Sequence, residues 1–342
     1  AAAAAGLSEA VMNDIVAKTD GVPLFVEELT KTMAAGDSAT VPATIQASLT
    51  ARLDRLGSAK EVAQTGAVIG RTFAHDLLAL VSDSAPEALD EALHRLVDAE
   101  LLFQRGTPPD ARYTFKHALV QDAAYESLLK SKRQQMHGRI AAVLQGQFAE
   151  RTGAEPELLA HHYTEAGAAE QAIKYWQRAG DRALERSANV EAVAHLTKGL
   201  ELLTAIADSG DRAQQELALQ APLASALTAA KGHAAAETGT ALMRARELCR
   251  EVGDAPQLFE VLYGVWNYIF VRGDLDAALE LAEEGFELVR HEGKRSRLVA
   301  AHCMLGQTLF FLGRFDTAQD HLEKSIALYE PEQDRSLGLV YG

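Results

Sequence analysis

The sequence predicts a mainly α-helical protein with one short β-hairpin and a long array of paired helices. Aromatic residues make up only 6% of the 342 residues and alanine is abundant throughout, a composition that favours closely packed helices over sheet. Only one pair of segments has the pattern of adjacent strands. From residue 158 onward the helical pattern becomes periodic, which indicates repeated supersecondary units.

Composition and charge exclude several classes of protein. Hydrophobic residues make up 48% and charged residues 24%, which is typical of globular chains and unlike disordered ones. The chain carries 33 basic and 48 acidic residues, so its net charge of −15 disfavours nucleic acid as a partner. No run of about 18 apolar residues occurs, so we expect no membrane span. At roughly 150 residues per domain, the length predicts about two to three domains.

Helical signals run through the first part of the chain. Residues 7–35 contain two helical segments divided by a turn, and Pro23 suits the first position of the second helix. Residues 43–56 form an amphipathic helix with one apolar face. The apolar residues of that face are Ile45, Leu49, Leu53 and Leu56. Ser58 and Ser84 are each followed three residues later by a glutamate, a capping-box pattern that marks a helix start.

A hairpin follows this helical region. We expect a further helix to open at Thr72–Phe73. Leu101–Gln104 and Arg112–Phe115 are short, aromatic-rich runs joined by a loop of turn residues, which predicts a β-hairpin. Three helices followed by a hairpin are typical of a winged-helix domain. We assign that domain, with a linker helix after it, to residues 41–150.

The C-terminal half repeats with a period near 40 residues. Residues 262–273 align with residues 302–313, and the segments that follow them also match. The paired helices, with small residues and a glycine at the turn, resemble tetratricopeptide repeats, although the period exceeds the usual length of about 34 residues. We assign residues 151–342 to such a solenoid. Residues 335–342 look like the first helix of another repeat, so we expect the array to be truncated.

The motifs of common catalytic and metal sites are absent. The chain has no Gly-x-x-x-x-Gly-Lys-Ser/Thr loop, no Gly-x-Gly-x-x-Gly, no His-Glu-x-x-His and no Gly-x-Ser-x-Gly. His161 and His162 lack a carboxylate or third ligand at metal spacing. Cys249 and Cys303 lie in apolar helical runs, which disfavours a disulfide and fits a cytoplasmic protein. We expect neither a catalytic site nor a metal site in this chain.

Three segments resemble one family in the same order. They are Thr19–Leu29 with its Gly-x-Pro turn, Val41–Leu56, and Phe115–Tyr125. Together they resemble the signal transduction ATPases with numerous domains, the STAND class, in which tetratricopeptide-like repeats also follow. The resemblance covers nearly the whole chain. It is closest to bacterial multidomain proteins in which an adenylate/guanylate cyclase domain precedes the ATPase.

The resemblance implies a nucleotide-linked role for the first residues. Residues 1–40 would be the end of the helical lid of the ATPase, and Gly21 and Pro23 would pack against the adenine of ATP or ADP. The main nucleotide-binding core would lie upstream and act in cis. An alternative from the residues alone is that Pro23 only starts a helix.

His117 is a second candidate nucleotide contact. It follows the second strand of the hairpin, where some STAND proteins place the histidine of a Met-His-Asp motif that contacts the β-phosphate. Here the neighbours are Lys116 and Ala118, so two of the three motif positions differ. A capping or helix-packing role for His117 is the alternative.

A basic cluster stands out in this acidic chain. In a winged helix such a cluster could contact DNA, whereas an exposed helix face needs no ligand. We favour the exposed face, because in the STAND family the winged helix is an internal regulatory element. The cluster consists of Lys130, Lys132, Arg133, His137 and Arg139.

The sequence therefore predicts a regulatory region of a signalling ATPase, with a protein or small ligand bound by the solenoid. The lid and winged helix would sense ADP or ATP. The first alternative is a STAND-type transcription activator with a DNA-binding domain elsewhere in the parent protein. The second is a tetratricopeptide scaffold without nucleotide linkage.

Overall fold

The computed structural model describes residues 45–206, 211–253 and 255–332. The predicted lid segment, residues 1–40, lies outside the described residues. The chain divides into two compact units: an N-terminal unit of residues 1–154 and 161–168, and a repeat unit of residues 155–160 and 169–342. The predicted fold class, mainly helical with a small sheet and a helical solenoid, is confirmed.

The N-terminal unit combines helices with a three-stranded antiparallel sheet of order β1-β3-β2. The predicted hairpin is present as β2 and β3, with Phe103 opposite Thr114. After the first described helix, a helix, a strand, two helices and a hairpin follow one another, and the assignment to a winged-helix domain stays a prediction. The elements are α1 (Ile45–Asp54), α2 (Ser58–Ile69), β1 (Thr72–Ala74), α3 (His75–Val81), α4 (Pro86–Asp98), β2 (Leu102–Arg105), β3 (Arg112–Phe115), α5 (Ala118–Glu126), α6 (Lys130–Gln147) and α7 (Ala149–Ala154).

The helix expected to open at Thr72–Phe73 is instead strand β1, and α3 begins at His75. Phe73 explains the difference, because its buried ring packs 5.8 Å from the ring of Tyr113 and 5.7 Å from that of Phe115. Aromatic and β-branched residues suit a half-buried strand paired with such neighbours. The tertiary pairing with β3 therefore overrides the local helical signal.

Helices begin near both predicted capping boxes, but the serine side chains do not cap them. Helix α2 begins at Ser58 after Gly57, and α4 begins at Pro86 after Ala85. Neither start has a side-chain cap hydrogen bond. Helix α4 instead uses a proline in its first turn, where the missing N–H costs no helical hydrogen bond.

The repeat unit consists of consecutive helices that pack against one another. Helix α8 contributes residues to both units, since residues 155–160 belong to the repeat unit and residues 161–168 to the N-terminal unit. The helices are α8 (Pro156–Glu165), α9 (Ala169–Glu185), α10 (Asn189–Ala205), α11 (Arg212–Lys231), α12 (Ala236–Val252), α13 (Ala255–Val271), α14 (Leu275–Val289), α15 (Arg295–Phe311) and α16 (Phe315–Leu328).

Glycines allow these helices to approach closely. A Cβ atom placed on Gly306 in α15 would lie 2.6 Å from Cγ of Leu322 in α16 and 3.3 Å from its backbone nitrogen. A Cβ atom placed on Gly180 in α9 would likewise lie 2.5 Å from Cγ of Leu196 in α10. Any side chain at these positions would force two helices apart, so the glycines are required by packing.

A buried ion pair also joins the repeats. Arg297 on α15 is only 7% exposed, and its guanidinium donates to Glu260 on α13 at 2.8 Å and to Glu292 at 2.8 Å. Two carboxylates thus compensate one buried cation. Hydrogen bonds and charge from these partners raise the pKa of Arg297 despite its burial, so it stays charged.

Three helices of the N-terminal unit meet at buried polar rings. The Tyr125 hydroxyl of α5 lies 3.1 Å from Nε2 of His137 in α6, and Nδ1 of His137 lies 2.8 Å from Nδ1 of His162 in α8. Burial, and then the neighbouring histidines, lower the pKa of His137 to about 4 and that of His162 to about 3. Both rings are therefore neutral near pH 7, and in their hydrogen bond one Nδ1 donates its proton to the unprotonated Nδ1 of the other ring.

Gly306→Ala should destabilise the repeat unit by about 1–3 kcal/mol, because the added methyl group overlaps Leu322. Gly146→Ala is the matched control. Gly146 lies in helix α6 with nothing within 4 Å of the added Cβ, so the substitution should stabilise by about 0.5 kcal/mol. Urea unfolding followed by circular dichroism gives both values. Equal effects of the two substitutions would contradict the packing role of Gly306.

The buried histidines should make stability fall in mild acid. Their folded pKa values lie below the unfolded value of 6.5, so the unfolded chain binds more protons as the pH falls from 6.5 towards 4. At pH 5 each histidine should cost about 2 kcal/mol relative to pH 7.5.

Urea unfolding at several pH values between 7.5 and 5 measures how steeply the free energy of unfolding falls with pH, which we call the pH slope. His162→Gln should remove the part of the pH slope that His162 contributes, about 2 kcal/mol at pH 5. His94→Gln, at an exposed position, should leave the pH slope unchanged. A pH slope that is the same in all three proteins would show that the buried cluster does not control acid stability.

Candidate partner-binding surface

A row of apolar side chains lies exposed at the C-terminal ends of α13 and α15 and at the start of α16. Phe310 is 51% exposed, Phe311 62% and Phe315 61%. Val271 is exposed and Phe270 half-buried beside them. We call these five residues the aromatic row. Adjacent apolar residues that stay in contact with water are typical of interaction surfaces.

Helical periodicity produces this row in two successive repeats. On α13 the half-exposed residues Tyr263, Asn267 and Phe270 are spaced i, i+4 and i+7, so they share one face. Cys303, Gln307 and Phe310 occupy corresponding positions on α15. Since α13 and α15 also contact each other, the two faces form one surface.

Buried contacts hold the aromatic row in place. The indole Nε1 of Trp266 donates to the Thr308 hydroxyl at 2.9 Å, which joins α13 to α15 beneath the surface. The ring of Phe270 stacks on that of Trp266, with centroids 5.2 Å apart, and meets the ring of Phe311 at 5.3 Å. The ring of Phe310 in turn contacts those of Phe311 and Phe315, each at 5.6 Å. The row is therefore preorganised, which lowers the entropic cost of binding.

Polar groups beside the row suit hydrogen bonding rather than covalent chemistry. Gln307 donates from Nε2 to Sγ of Cys303 at 3.2 Å. Burial raises the pKa of the Cys303 thiol, so the nucleophilic thiolate is scarce near neutral pH. The carboxamides of Asn267 and Gln307 each offer both donors and acceptors, as a peptide group does.

The described residues contain no group of three or more His, Cys, Asp or Glu side chains arranged to hold a metal ion. Among the helices of those residues, none is long and apolar enough to cross a membrane.

The predicted nucleotide contacts are placed only in part. Gly21 and Pro23 lie outside the described residues. His117 precedes α5 at the N-cap position, where its carbonyl oxygen accepts from the Val120 N–H at 3.1 Å. Its side chain makes no cap hydrogen bond, and its Nε2 atom is buried without a hydrogen-bond partner. The contact with nucleotide stays a prediction.

The predicted basic cluster is dispersed in the structure. Arg133 stacks its guanidinium 4.9 Å from the ring centroid of Tyr125, and Arg139 forms an ion pair with Asp83. His137 is buried and neutral. Arg133 and His137 thus both contact Tyr125, whereas Arg139 contacts Asp83, and the helix does not present one continuous positive face.

The sequence contained one sign of the aromatic row: a phenylalanine recurs at corresponding positions of two repeats. Phe270 and Phe310 lie shortly before the repeat glycines Gly273 and Gly313. Phe270 packs partly against the core, whereas Phe310 is 51% exposed. The contacts between the rings of the row became clear only from the packing of α13 against α15.

Comparisons with known proteins support the repeat architecture. Residues 267–330 match the family model described as tetratricopeptide repeat. The chain is 28% identical to an uncharacterized protein of Rhizobium meliloti strain 1021 in an alignment over 337 residues. The alignment covers 94% of this chain. The chain spans about a third of that relative, 32% of its length.

Two solved structures are similar to this chain. One is a STAND protein with a tetratricopeptide repeat sensor from Pyrococcus horikoshii, with a TM-score of 0.41 and 11% identity, covering 98% of this chain and 60% of that one. The other is a Rap protein complexed with competence and sporulation factor, with a TM-score of 0.40 and 13% identity, covering 85% of this chain and 79% of that one.

Proposed function

We propose that this chain is the regulatory and partner-binding region of a cytoplasmic STAND-class signalling ATPase. The observation that supports partner binding is the preorganised aromatic row within the matched repeats. The segments around Pro23 and His117, which resemble the STAND lid and winged helix, support the nucleotide linkage. The parent protein would belong to the type in which an adenylate/guanylate cyclase domain precedes the ATPase.

The partner bound by the row would be an extended protein segment with apolar side chains. Phe310, Phe311 and Phe315 would contact those side chains, because exposed, rigid aromatic rings gain binding energy with little loss of entropy. The carboxamides of Asn267 and Gln307 would pair with peptide groups of the segment. A segment that alternates its side chains between the row and solvent fits this arrangement.

The signal would pass through a change in the populations of two states. The lid, with Gly21 and Pro23, and the winged helix, with His117, would contact ATP or ADP held in the upstream core. A partner can shift such an equilibrium only if it binds one state more tightly than the other. The solenoid would therefore act as a sensor whose occupancy biases the nucleotide-bound state.

Two alternatives predict different surroundings in the parent protein. A transcription activator of the STAND type would carry a DNA-binding domain beyond this region. A scaffold would bind its partner with an affinity that does not depend on nucleotide, and its parent would lack a phosphate-binding loop.

Replacing Phe310 and Phe311 together by serine should weaken peptide binding about tenfold or more, because two aromatic anchors are lost. The probe is a phage-displayed library of random peptides, selected on the wild-type chain and followed by affinity measurement on single peptides. Val190→Ser is the matched control, since Val190 is an exposed apolar residue of the same unit outside the row. Selected peptides that bind the double variant as tightly as the wild type would exclude the row as their site.

In the parent protein, His117→Ala should weaken ADP binding about tenfold, the value of a hydrogen bond to a charged group. Pro23→Ala should weaken it less, through loss of an apolar contact with adenine. Calorimetry on the protein with its upstream core measures both affinities, and His94→Ala serves as the control. Unchanged affinity in both variants would show that neither residue contacts the nucleotide.

A further inference from the structure

The N-terminal unit contains a cleft of about 400 Å³ that the proposed function does not use. Its walls are α2, the turn at residues 82–84 and helix α6. Buried Val81 and Ile140 line it together with half-buried Met136. The volume lies within the range of about 300–1,000 Å³ found for small-molecule sites.

One face of α6 supplies both apolar and cationic groups to this cleft. Lys132, Met136, Arg139 and Ile140 are spaced i, i+4, i+7 and i+8, so they lie on the same side of the helix. Lys132 and Arg139 are separated by seven residues, or about 10 Å along the axis. The face therefore presents Met136 between two positive charges, with Ile140 next to the second.

Both positive charges act on a carboxylate that belongs to the protein itself. Arg139 forms an ion pair with Asp83 in the turn and donates from Nη2 to the carbonyl oxygen of Ser82 at 3.4 Å. Hydrogen bonding and charge from Arg139, with a smaller effect of Lys132, hold the pKa of Asp83 below its usual value. Asp83 thus occupies the position that suits an anion.

This internal ion pair is easily exchanged. The Asp83 side chain is 81% exposed, and pairs exposed to this degree contribute little to stability. An external anion could replace the carboxylate without leaving a buried charge behind. Glu61 on the opposite wall adds a second negative charge, which opposes polyanions and favours a ligand with a single negative charge.

We propose that this cleft binds an amphipathic monoanion, whose apolar body covers Val81, Met136 and Ile140. Its carboxylate or sulfonate group takes the place of Asp83 on Arg139, with support from Lys132. Asp83 is then an internal competitor of the ligand. The proposal is independent of the aromatic row and of the nucleotide linkage, since none of these residues belongs to either.

The probe is 8-anilinonaphthalene-1-sulfonate, which combines an aromatic body with one sulfonate. Titration of the whole chain, followed by fluorescence, should show about tenfold weaker binding for Arg139→Ala, because a charge-assisted hydrogen bond is lost. Asp83→Asn should bind about threefold to tenfold more tightly, because the competing charge is removed. Lys130→Ala removes a charge from the same helix outside the cleft and should not change the affinity.

A second measurement locates the probe. In protein labelled with ¹³C at the methionine methyl groups, the Met136 signal should shift on titration, and Met136→Leu identifies that signal. Tighter binding by Asp83→Asn, with the Met136 shift and an unchanged near-ultraviolet circular dichroism spectrum, supports the proposal. Unchanged or weaker binding by Asp83→Asn, a static Met136 signal, or tighter binding with a loss of native circular dichroism overturns it.

Discussion

At Gly180, Gly264 and Gly306 a leucine of the neighbouring helix fills the volume that a Cβ atom would need. Three helix contacts of the repeat unit therefore depend on positions without a side chain. This close approach buries alanine side chains between the helices. Gly264 brings α12 close to α13 and Gly306 brings α15 close to α16, so the two helices that carry most of the aromatic row are each fixed by such a contact.

Helices α13 and α15 are joined by two polar contacts, one near the aromatic row and one near the N-terminal ends of the helices. The Trp266 indole donates to Thr308, and Arg297 is held by Glu260, a pair that is costly to break because the remaining charge would stay buried. A partner that presses on the row therefore contacts a rigid surface. If the proposed sensor function is correct, binding would be transmitted as a shift of whole repeats rather than as a local loop movement.

Buried and exposed polar groups have opposite roles in the N-terminal unit. His137 and His162 are buried and neutral, and the hydrogen bonds of His137 to Tyr125 and to His162 join α6 to α5 and to α8. Arg139 and Asp83 are exposed and charged, so their contact can be exchanged for another anion at little cost. The buried histidines have lost their contact with water and serve the structure, whereas the exposed Arg139–Asp83 pair on the same helix is a candidate ligand site.

The amino-acid sequence alone determined the helical class, the hairpin and the repeat period, because these depend on local patterns of apolar residues, turn residues and glycines. Only the tertiary structure decided that Thr72–Ala74 is a strand, since its pairing partner lies some 40 residues away. It likewise showed that Arg139 pairs with Asp83, 56 residues earlier, whereas its helix neighbours Arg133 and His137 contact Tyr125. The aromatic row required the packing of α13 on α15. In each case the deciding interaction joins residues distant in sequence, and burial and charge compensation between such residues have no local signature.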